Sequence, residues 1–295
     1  MGNLRTALLA WLFARTQKGQ FVLRIEDLDR LRLRSGATQQ MLADLSWLGL
    51  DWDEGPDWGG PYAPYTQSER IDIYQRYLKQ LQDKGMVYPC YCSRAEVAHA
   101  ASAPQQGADD RPRYPGTCRN LTAVQRRQYE ASGRRPALRF RVEDNREVTF
   151  DDLVIGSITQ HVQEAIGDFI VCRSDGIFAY QFAVVVDDAL MYINQIVRGS
   201  DLLSSTARQI LLYEALDFSV PTFAHVPLIV DEQGKRLSKR TQSMGLDPLR
   251  ATGATPEQIV GKLAASCGLI KEHEQVSTKD LAQRYRDTAI PLQRG

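Results

Sequence analysis

Three cysteines carry the clearest chemical pattern in the chain. Cys90 and Cys92 stand one residue apart in "YPCYC", and Cys118 follows beyond a loop. Thiolates at such spacing suit zinc, which takes four tetrahedral ligands and gathers near neighbours at little loss of chain entropy. The fourth ligand is open, with His99, Asp109, Asp110 and Tyr114 as candidates by position. There are five cysteines, and Cys172 and Cys267 sit apart in apolar surroundings, so a disulfide framework is not expected. A redox motif would need C-x-x-C. The expectation is therefore a structural metal, with incidental thiols as the alternative.

Other residues could handle a phosphate or an amino acid. "GKRLSKR" at 234–240 sets basic residues around Ser238 after a Gly turn, so Lys239 could meet polyphosphate oxygens as a mobile point charge. "RIEDLD" places Glu26 at the C-terminal end of a short strand, where open α/β sheets bind ligands. A carboxylate there could receive an ammonium group. Tyr180 opens "YQFAVVVDD", and Arg198 ends "INQIVRG" 18 positions later. An arginine at a strand end can clamp a carboxylate with both arms of its fork. Taken singly, each of these groups also reads as a solvated turn or a surface ion pair.

The elements that must position them alternate between helix and strand. "NLRTALLAWLFAR" reads as an amphipathic helix with Asn3 at its cap. "QFVLRI" is a short buried strand. "GATQQMLADLSWLGL" and "TQSERIDIYQRYLKQLQDKG" are helices, the second capped near Thr66 or Ser68 and ended by Gly85. "ALRFRV", "EVTFDD" and "GSITQHV" alternate as small antiparallel strands. "DFIVCR" and "AYQFAVVVDD" read as buried strands, followed by a strand at "INQIVRG", a helix at "SSTARQILLYEAL" and a strand at "HVPLIV". "TPEQIVGKLAASCGL" is helical, and the polar end after it reads as frayed. The pattern is an α/β layer rather than a helical bundle. A catalytic domain over 1–82 and 166–246, an insertion over 83–165 and a short helical part over 247–295 are expected.

At 295 residues, with hydrophobic content 43% and charged content 24%, the composition is that of a globular domain or two. No apolar run approaches a membrane span, and no signal peptide is read at the N-terminus. The formal net charge is zero, which argues against a uniformly basic coat for nucleic acid. Charge is unevenly spread, however. Residues 111 to 141 hold nine arginines, no lysine and one acid, Glu130. Such a patch can grip phosphates or be a solvated surface.

Taken together, "LRTALLAWLFAR", "RIEDLDR", "WLGLDWDEGP", "YTQSERIDIYQRYLKQL", "YPCYCSRAE", "YQFAVVVDD", "IVRGSDLLSSTARQILLYEAL" and "HVPLIVDEQGKRLSKR" resemble the blocks of the glutamyl-tRNA synthetase family of class I aminoacyl-tRNA synthetases, in family order. They span nearly all of residues 2 to 245. The resemblance implies a Rossmann-like parallel sheet with a zinc-bearing insertion. It also implies a cytoplasmic ligase, a monomer with no membrane partner, that forms glutamyl-adenylate from L-glutamate and ATP with Mg²⁺. "RLSKR" is similar to the family's second signature, usually written KMSKS. It implies ATP contacts at Arg236, Leu237, Ser238, Lys239 and Arg240, with Lys239 as the catalytic cation. Glu26, Tyr180 and Arg198 match positions that hold glutamate: the first takes the ammonium, the other two take carboxylate oxygens. "HVPLIV" is expected to offer backbone contacts to adenine.

Two departures go with the resemblance. The family's first signature runs through a strand, a turn and an H-x-G-N element. Only Met1, Gly2 and Asn3 stand here, at the x-G-N positions, with Gly2 and Asn3 expected near ATP. The first strand is missing from the chain, and the start is expected to fall inside the motif. An α/β sheet without a central strand exposes unpaired edges. The second departure is the short region after "RLSKR", with no anticodon-binding domain. It resembles the short subfamily that attaches glutamate to queuosine at the wobble position of tRNA(Asp). That subfamily also resembles this chain in a zinc set of C-x-C followed by Tyr-x-x-x-Cys, which selects Tyr114 with Cys90, Cys92 and Cys118. The arginine-rich stretch would then grip the anticodon arm of tRNA(Asp). The alternatives are a shortened glutamyl-tRNA(Glu) synthetase and a non-catalytic tRNA-binding paralogue.

Overall fold

The computed structural model describes residues 2–29, 34–100, 113–227, 246–286 and 290–291. The amphipathic start forms α1, Gly2–Thr16, burying Leu8, Leu9, Trp11, Leu12 and Phe13. Asn3 lies inside its first turn rather than at a cap. Residues 21–26 are extended, as their apolar run predicts, but form only isolated parallel bridges, Val22 to Glu54 and Ile25 to Thr66. The partner segment is the Gly- and Pro-rich loop 51–66, which is too irregular to sustain a ladder.

Helix α2, Ala37–Trp47, and α3, Ile71–Asp83, follow. Neither Thr66 nor Ser68 caps α3, which starts from Arg70 with no side-chain cap. Ser68 instead donates its N–H and its hydroxyl to Asp27, at 2.7 and 2.6 Å. Then come β1, Val87–Cys90; α4, Arg94–Ala100; α5, Ala123–Ala131; β2, Ala137–Phe140; β3, Glu147–Asp152; β4, Gly156–His161; and α6, Val162–Ala165. The order continues with β5, Phe169–Cys172; α7, Tyr180–Leu190; β6, Gln195–Gly199; α8, Leu203–Ala215; and β7, Thr222–Val226. Helices α9, Leu246–Ala251, α10, Pro256–Ala265, and α11, Thr278–Arg284, complete the described chain.

Two sheets result. One is antiparallel, in the order β1–β2–β5; the other runs β4–β3–β7–β6. In the second, β3, β7 and β6 are mutually parallel and β4 returns as an antiparallel hairpin. The parallel core is thus α/β as expected. The sequence divisions at 83 and 165 run through both sheets: β3 and β4 join β7, while β5 joins β2.

One segment differs in kind from its expectation. "AYQFAVVVDD" is helix α7, not a strand, so Tyr180 opens a helix. A short apolar run does not separate a buried strand from a buried helix. Every residue from Phe182 to Asp188 is buried, so the helix is covered on all sides and its run carries no period to tell it from a strand buried on both faces. The chain's last part differs too. It is anchored rather than frayed: Ser277 caps α11 through the N–H of Asp280, and Leu281 is fully buried in the cluster that also holds α1 and α10. Gly261 lets α10 meet the segment beside it, since a Cβ there would lie 2.1 Å from the carbonyl oxygen of Glu274.

Candidate functional site

Two polar centres stand out. The first grows from the antiparallel sheet. Strand β1 delivers Cys90, the next turn delivers Cys92, and the loop before α5 brings back Tyr114 and Cys118. The three sulfurs lie within 4.8 Å of one another. Cys92 Sγ is 3.5 Å from Cys118 Sγ, and Tyr114 Oη lies 3.4 Å from Cys90 Sγ and 3.8 Å from Cys92 Sγ. A zinc tetrahedron with arms near 2.3 Å has edges of about 3.8 Å, so these spacings fit one metal ion. Of the other candidates by position, His99 is on the exposed side of α4, and Asp109 and Asp110 lie outside the described residues.

The electrostatics of this cluster are uneven. Burial raises the Cys90 thiol, but the Tyr114 hydrogen bond and the nearby Arg139 guanidinium outweigh it, and the net shift is downward. Arg139 Nε donates to Cys90 Sγ at 3.2 Å, and its guanidinium stacks 3.8 Å above the Tyr114 ring. Cys92 is pushed up to about 12, by burial first and then by Cys118 and Cys90. Tyr114 is raised by burial and by Cys90, while it accepts the N–H of Cys118 at 2.7 Å. Three thiols and a phenol held this close form a donor set that a divalent ion would neutralise.

The second centre lies where β6 and β7 end. Arg198 on β6 sits in register with His225 on β7. Its guanidinium is buried, at 8% exposure. Nε donates to His225 Nε2 at 3.0 Å, one terminal nitrogen to Gln209 Oε1 at 2.6 Å and the other to Thr206 Oγ1 at 2.8 Å. All three partners are neutral acceptors, and burial lowers the pKa of Arg198 from its ordinary value. A buried cation whose direct partners are uncharged is suited to an anionic ligand. Gln209 is itself held by Gln181, which donates to Ser205 at 2.8 Å.

Tyr180 and Glu26 belong to the same neighbourhood. The Tyr180 hydroxyl is pushed up to about 12, by burial first, then by the charge of Glu26, against a lowering influence from Arg198. Glu26 Oε1 accepts from Arg24 at 3.0 Å, and Arg24 also donates to Asp188 at 2.7 Å. Behind them Asp187, fully buried, receives Arg70 Nε at 2.7 Å, Gln67 Nε2 at 2.8 Å and the Tyr74 hydroxyl at 2.9 Å. The charges of Glu26 and Arg198 both act on the Tyr180 hydroxyl, so the three residues expected to hold glutamate share one electrostatic neighbourhood.

Gly2 and Asn3 stand on the first turn of α1, which packs on β6. Arg236, Leu237, Ser238, Lys239 and Arg240 lie outside the described residues. The "HVPLIV" expectation meets one fact: the N–H of His225 already donates to Asp152 Oδ2 at 3.0 Å. Sequence reasoning missed His225, Thr206, Gln209, Arg24, Asp187 and Arg139 as supporting groups. The available signal was polar residues within apolar runs, as in "FAHV" and "VVVDD".

The arginine-rich stretch divides. Arg119 donates to Asp168 at 2.7 Å, Arg141 to the carbonyl of Arg119 at 2.6 Å, and Arg139 to the carbonyl of Asp168 at 3.0 Å. Arg134 pairs with Glu96 at 2.9 Å. These hold the insertion together. Exposed Arg135 lines a cleft of about 400 Å³ with Cys92, Ser93, Glu96 and Ser174.

Comparison with known proteins gives this architecture a class. The family described as "tRNA synthetases class I (E and Q), catalytic domain" matches residues 1–291, and the chain belongs to it. Proteins of this family are ligases. The chain is 52% identical over 291 residues to the glutamyl-Q tRNA(Asp) synthetase of Symbiobacterium thermophilum, covering 99% of this chain and 90% of that one. It is 46% identical to the glutamyl-Q tRNA(Asp) synthetase of Nitratidesulfovibrio vulgaris, over 99% and 89%. Among solved structures, the glutamate-tRNA synthetase of Elizabethkingia anophelis superposes with a TM-score of 0.81 at 30% identity. The alignment covers 96% of this chain and 62% of that chain, so this chain spans under two thirds of that structure.

Proposed function

We propose that this chain activates glutamate with ATP and transfers it to queuosine at the wobble position of tRNA(Asp). The observation that carries the reading is the buried Arg198 guanidinium, whose direct partners among the described residues are neutral and which shares its neighbourhood with Tyr180 and Glu26. An amino acid with two carboxylates and one ammonium complements that set. Identity to the two glutamyl-Q tRNA(Asp) synthetases supports queuosine as the acceptor.

In the first step the α-carboxylate of glutamate attacks the α-phosphorus of ATP, forming glutamyl-adenylate and releasing pyrophosphate. A hydroxyl of the queuosine cyclopentenediol then attacks the activated carbonyl and releases AMP. In nucleotidyl transfer the protein mainly positions groups and offsets developing charge. Glu26 receives the substrate ammonium, and Arg198 with Tyr180 receives carboxylate oxygens. Lys239, with Arg236, Leu237, Ser238 and Arg240 around it, is assigned to the ATP phosphates. Gly2 and Asn3 are assigned to the nucleotide side. Mg²⁺ accompanies ATP. Cys90, Cys92, Cys118 and Tyr114 would hold zinc, which supplies structure rather than chemistry. The insertion, with Arg135 at its cleft, is assigned to the anticodon arm. Among the described residues no helix is long and apolar enough to cross a membrane.

The test has two parts. Glutamate-dependent exchange of pyrophosphate into ATP, without tRNA, is expected to proceed. Labelled glutamate is then expected on tRNA(Asp) carrying queuosine, and not on the same tRNA carrying guanosine. Charging of tRNA(Glu) instead would favour the second reading, a glutamate–tRNA ligase, for which the Elizabethkingia anophelis structure speaks. Absence of both exchange and tRNA labelling would leave a tRNA-binding paralogue.

A further inference from the structure

We infer that Asp152 and His225 act as a positioning pair that presents the Arg198 fork to the substrate carboxylate. The inference rests on the reading of Arg198 as the carboxylate clamp. His225 is fully buried on β7 and has no part in the activation chemistry as derived.

Its hydrogen bonds assign one protonation state. Nδ1 lies 2.6 Å from Asp152 Oδ2; Nε2 lies 3.0 Å from Arg198 Nε and 3.1 Å from Thr206 Oγ1. An ionised carboxylate only accepts, so Nδ1 carries the proton. A guanidinium only donates, so Nε2 must be bare. Asp152 is itself anchored at the end of β3, where Oδ1 accepts the N–H groups of Val154 and Ile155 at 3.0 and 2.9 Å. The chain of command therefore runs from a strand end, through a neutral imidazole, to one edge of the Arg198 fork. Gln209 and Thr206 fix the terminal nitrogens, each of which carries a second N–H beyond that bond. With three of its five N–H groups held, the fork is preorganised to offer the rest.

The arrangement has a pH signature. The groups facing His225 are Asp152 from β3, Arg198 from β6, Thr206 from α8, Asp201 from the turn before α8, and Phe223 on its own strand. Burial lowers its pKa most, Asp152 raises it, Arg198 lowers it, and the net shift is below the ordinary value. The imidazole is therefore neutral at pH 7. As pH falls below about 6.5 and through the depressed value, Nε2 gains a proton that points at Arg198 Nε–H. The clamp is assembled above that window and disturbed below it.

The experiment uses the full chain in ATP–pyrophosphate exchange, with glutamate and ATP varied separately. His225→Asn keeps an amide donor near Asp152 and loses the acceptor toward Arg198. His225→Gln keeps an amide oxygen near the place of Nε2. Losing a hydrogen bond to a charged group is expected to raise the glutamate KM about tenfold or more in His225→Asn, with the ATP KM unmoved. His225→Gln is expected to raise it no more than about threefold, and to lose the acid limb expected in the parent as pH falls through the lowered His225 pKa. An unchanged glutamate KM in His225→Asn, both KM values rising together, or an acid limb that survives in His225→Gln overturns the inference. If His225→Asn does not fold, the pH profile of His225→Gln decides alone. Arg198→Ala separates the two layers. If it leaves the glutamate KM unchanged, the clamp reading itself fails; if it abolishes glutamate dependence while His225→Asn is silent, only the positioning pair fails.

Discussion

The thiol cluster and the arginine clamp are opposite solutions to the problem of burying charge. The cluster crowds three sulfurs and a phenol together, with the Arg139 guanidinium against Cys90 and the Tyr114 ring. Tyr114 and Arg139 draw Cys90 down, while burial and the neighbouring thiols push Cys92 up. The clamp does the reverse: it isolates a cation among neutral acceptors. One centre suits a metal ion and the other suits a carboxylate. They also differ in assembly. The cluster comes from a stretch of 29 residues, 90 to 118, whereas the clamp needs segments near 26, 180, 198 and 225.

The largest expected effect tests the cluster side. Cys118→Ala removes a ligand from an already small set. Structural zinc sites supply on the order of 10 kcal/mol to folding of the segments they join. Purified Cys118→Ala is expected to carry no bound zinc by atomic emission, and its insertion should become sensitive to limited proteolysis. Zinc content equal to that of the parent would break the comparison, because the sulfurs would then be incidental.

The next effect tests the buried carboxylate that holds Arg70 and lies behind Arg24. Asp187 is fully buried and joins Arg70, Gln67 and Tyr74, with Arg24 3.5 Å away. Asp187→Asn leaves two guanidinium groups short of their carboxylate. Breaking a buried pair in this way costs about 3–5 kcal/mol. Urea unfolding is expected to show a loss of that order; a change under about 1 kcal/mol would mean that Asp188 and Glu26 balance Arg24 without Asp187.

The same contrast explains what could be read beforehand. The C-x-C spacing and the return of Cys118 announce a metal in the residue types alone, because the ligands are close in sequence. Nothing in the types at 26, 180 and 198 says that they meet; that came from resemblance, since Glu26 ends an extended segment, Tyr180 opens α7 and Arg198 lies on β6. Helix α7 escaped because "FAVVV" is apolar on all faces, so its period is invisible. The final helix escaped because one buried leucine, Leu281, anchors an otherwise polar segment. The division of the arginines into structural and exposed depends on Asp168, Glu96 and backbone carbonyls that composition does not place.

A smaller effect sharpens the cluster further. Tyr114 is either a metal ligand or a buried acceptor for the N–H of Cys118. Tyr114→Phe keeps the ring under Arg139 and removes only the oxygen. With three thiolates left, zinc is expected to remain bound but to pass to a competing chelator about tenfold more readily. No change in the competition would assign the oxygen to the hydrogen bond alone.

The smallest effect concerns the surface beside the cluster. Arg134 and Arg135 are adjacent, yet Arg134 already faces Glu96 at 2.9 Å, while Arg135 makes no ion pair among the described residues. A phosphate contact is worth close to one counterion, so its loss flattens the slope of log affinity against log salt by about one. Arg135→Ala is therefore expected to flatten that slope for queuosine-bearing tRNA(Asp) by about one, and Arg134→Ala by less, because its charge is already partly answered. Glutamate-dependent exchange without tRNA should be the same in both, since the cleft is lined by the cluster and not by the clamp. Equal slopes for parent and Arg135→Ala would move the tRNA-binding surface off this cleft. A flatter slope with reduced exchange would instead join the two centres into one functional unit.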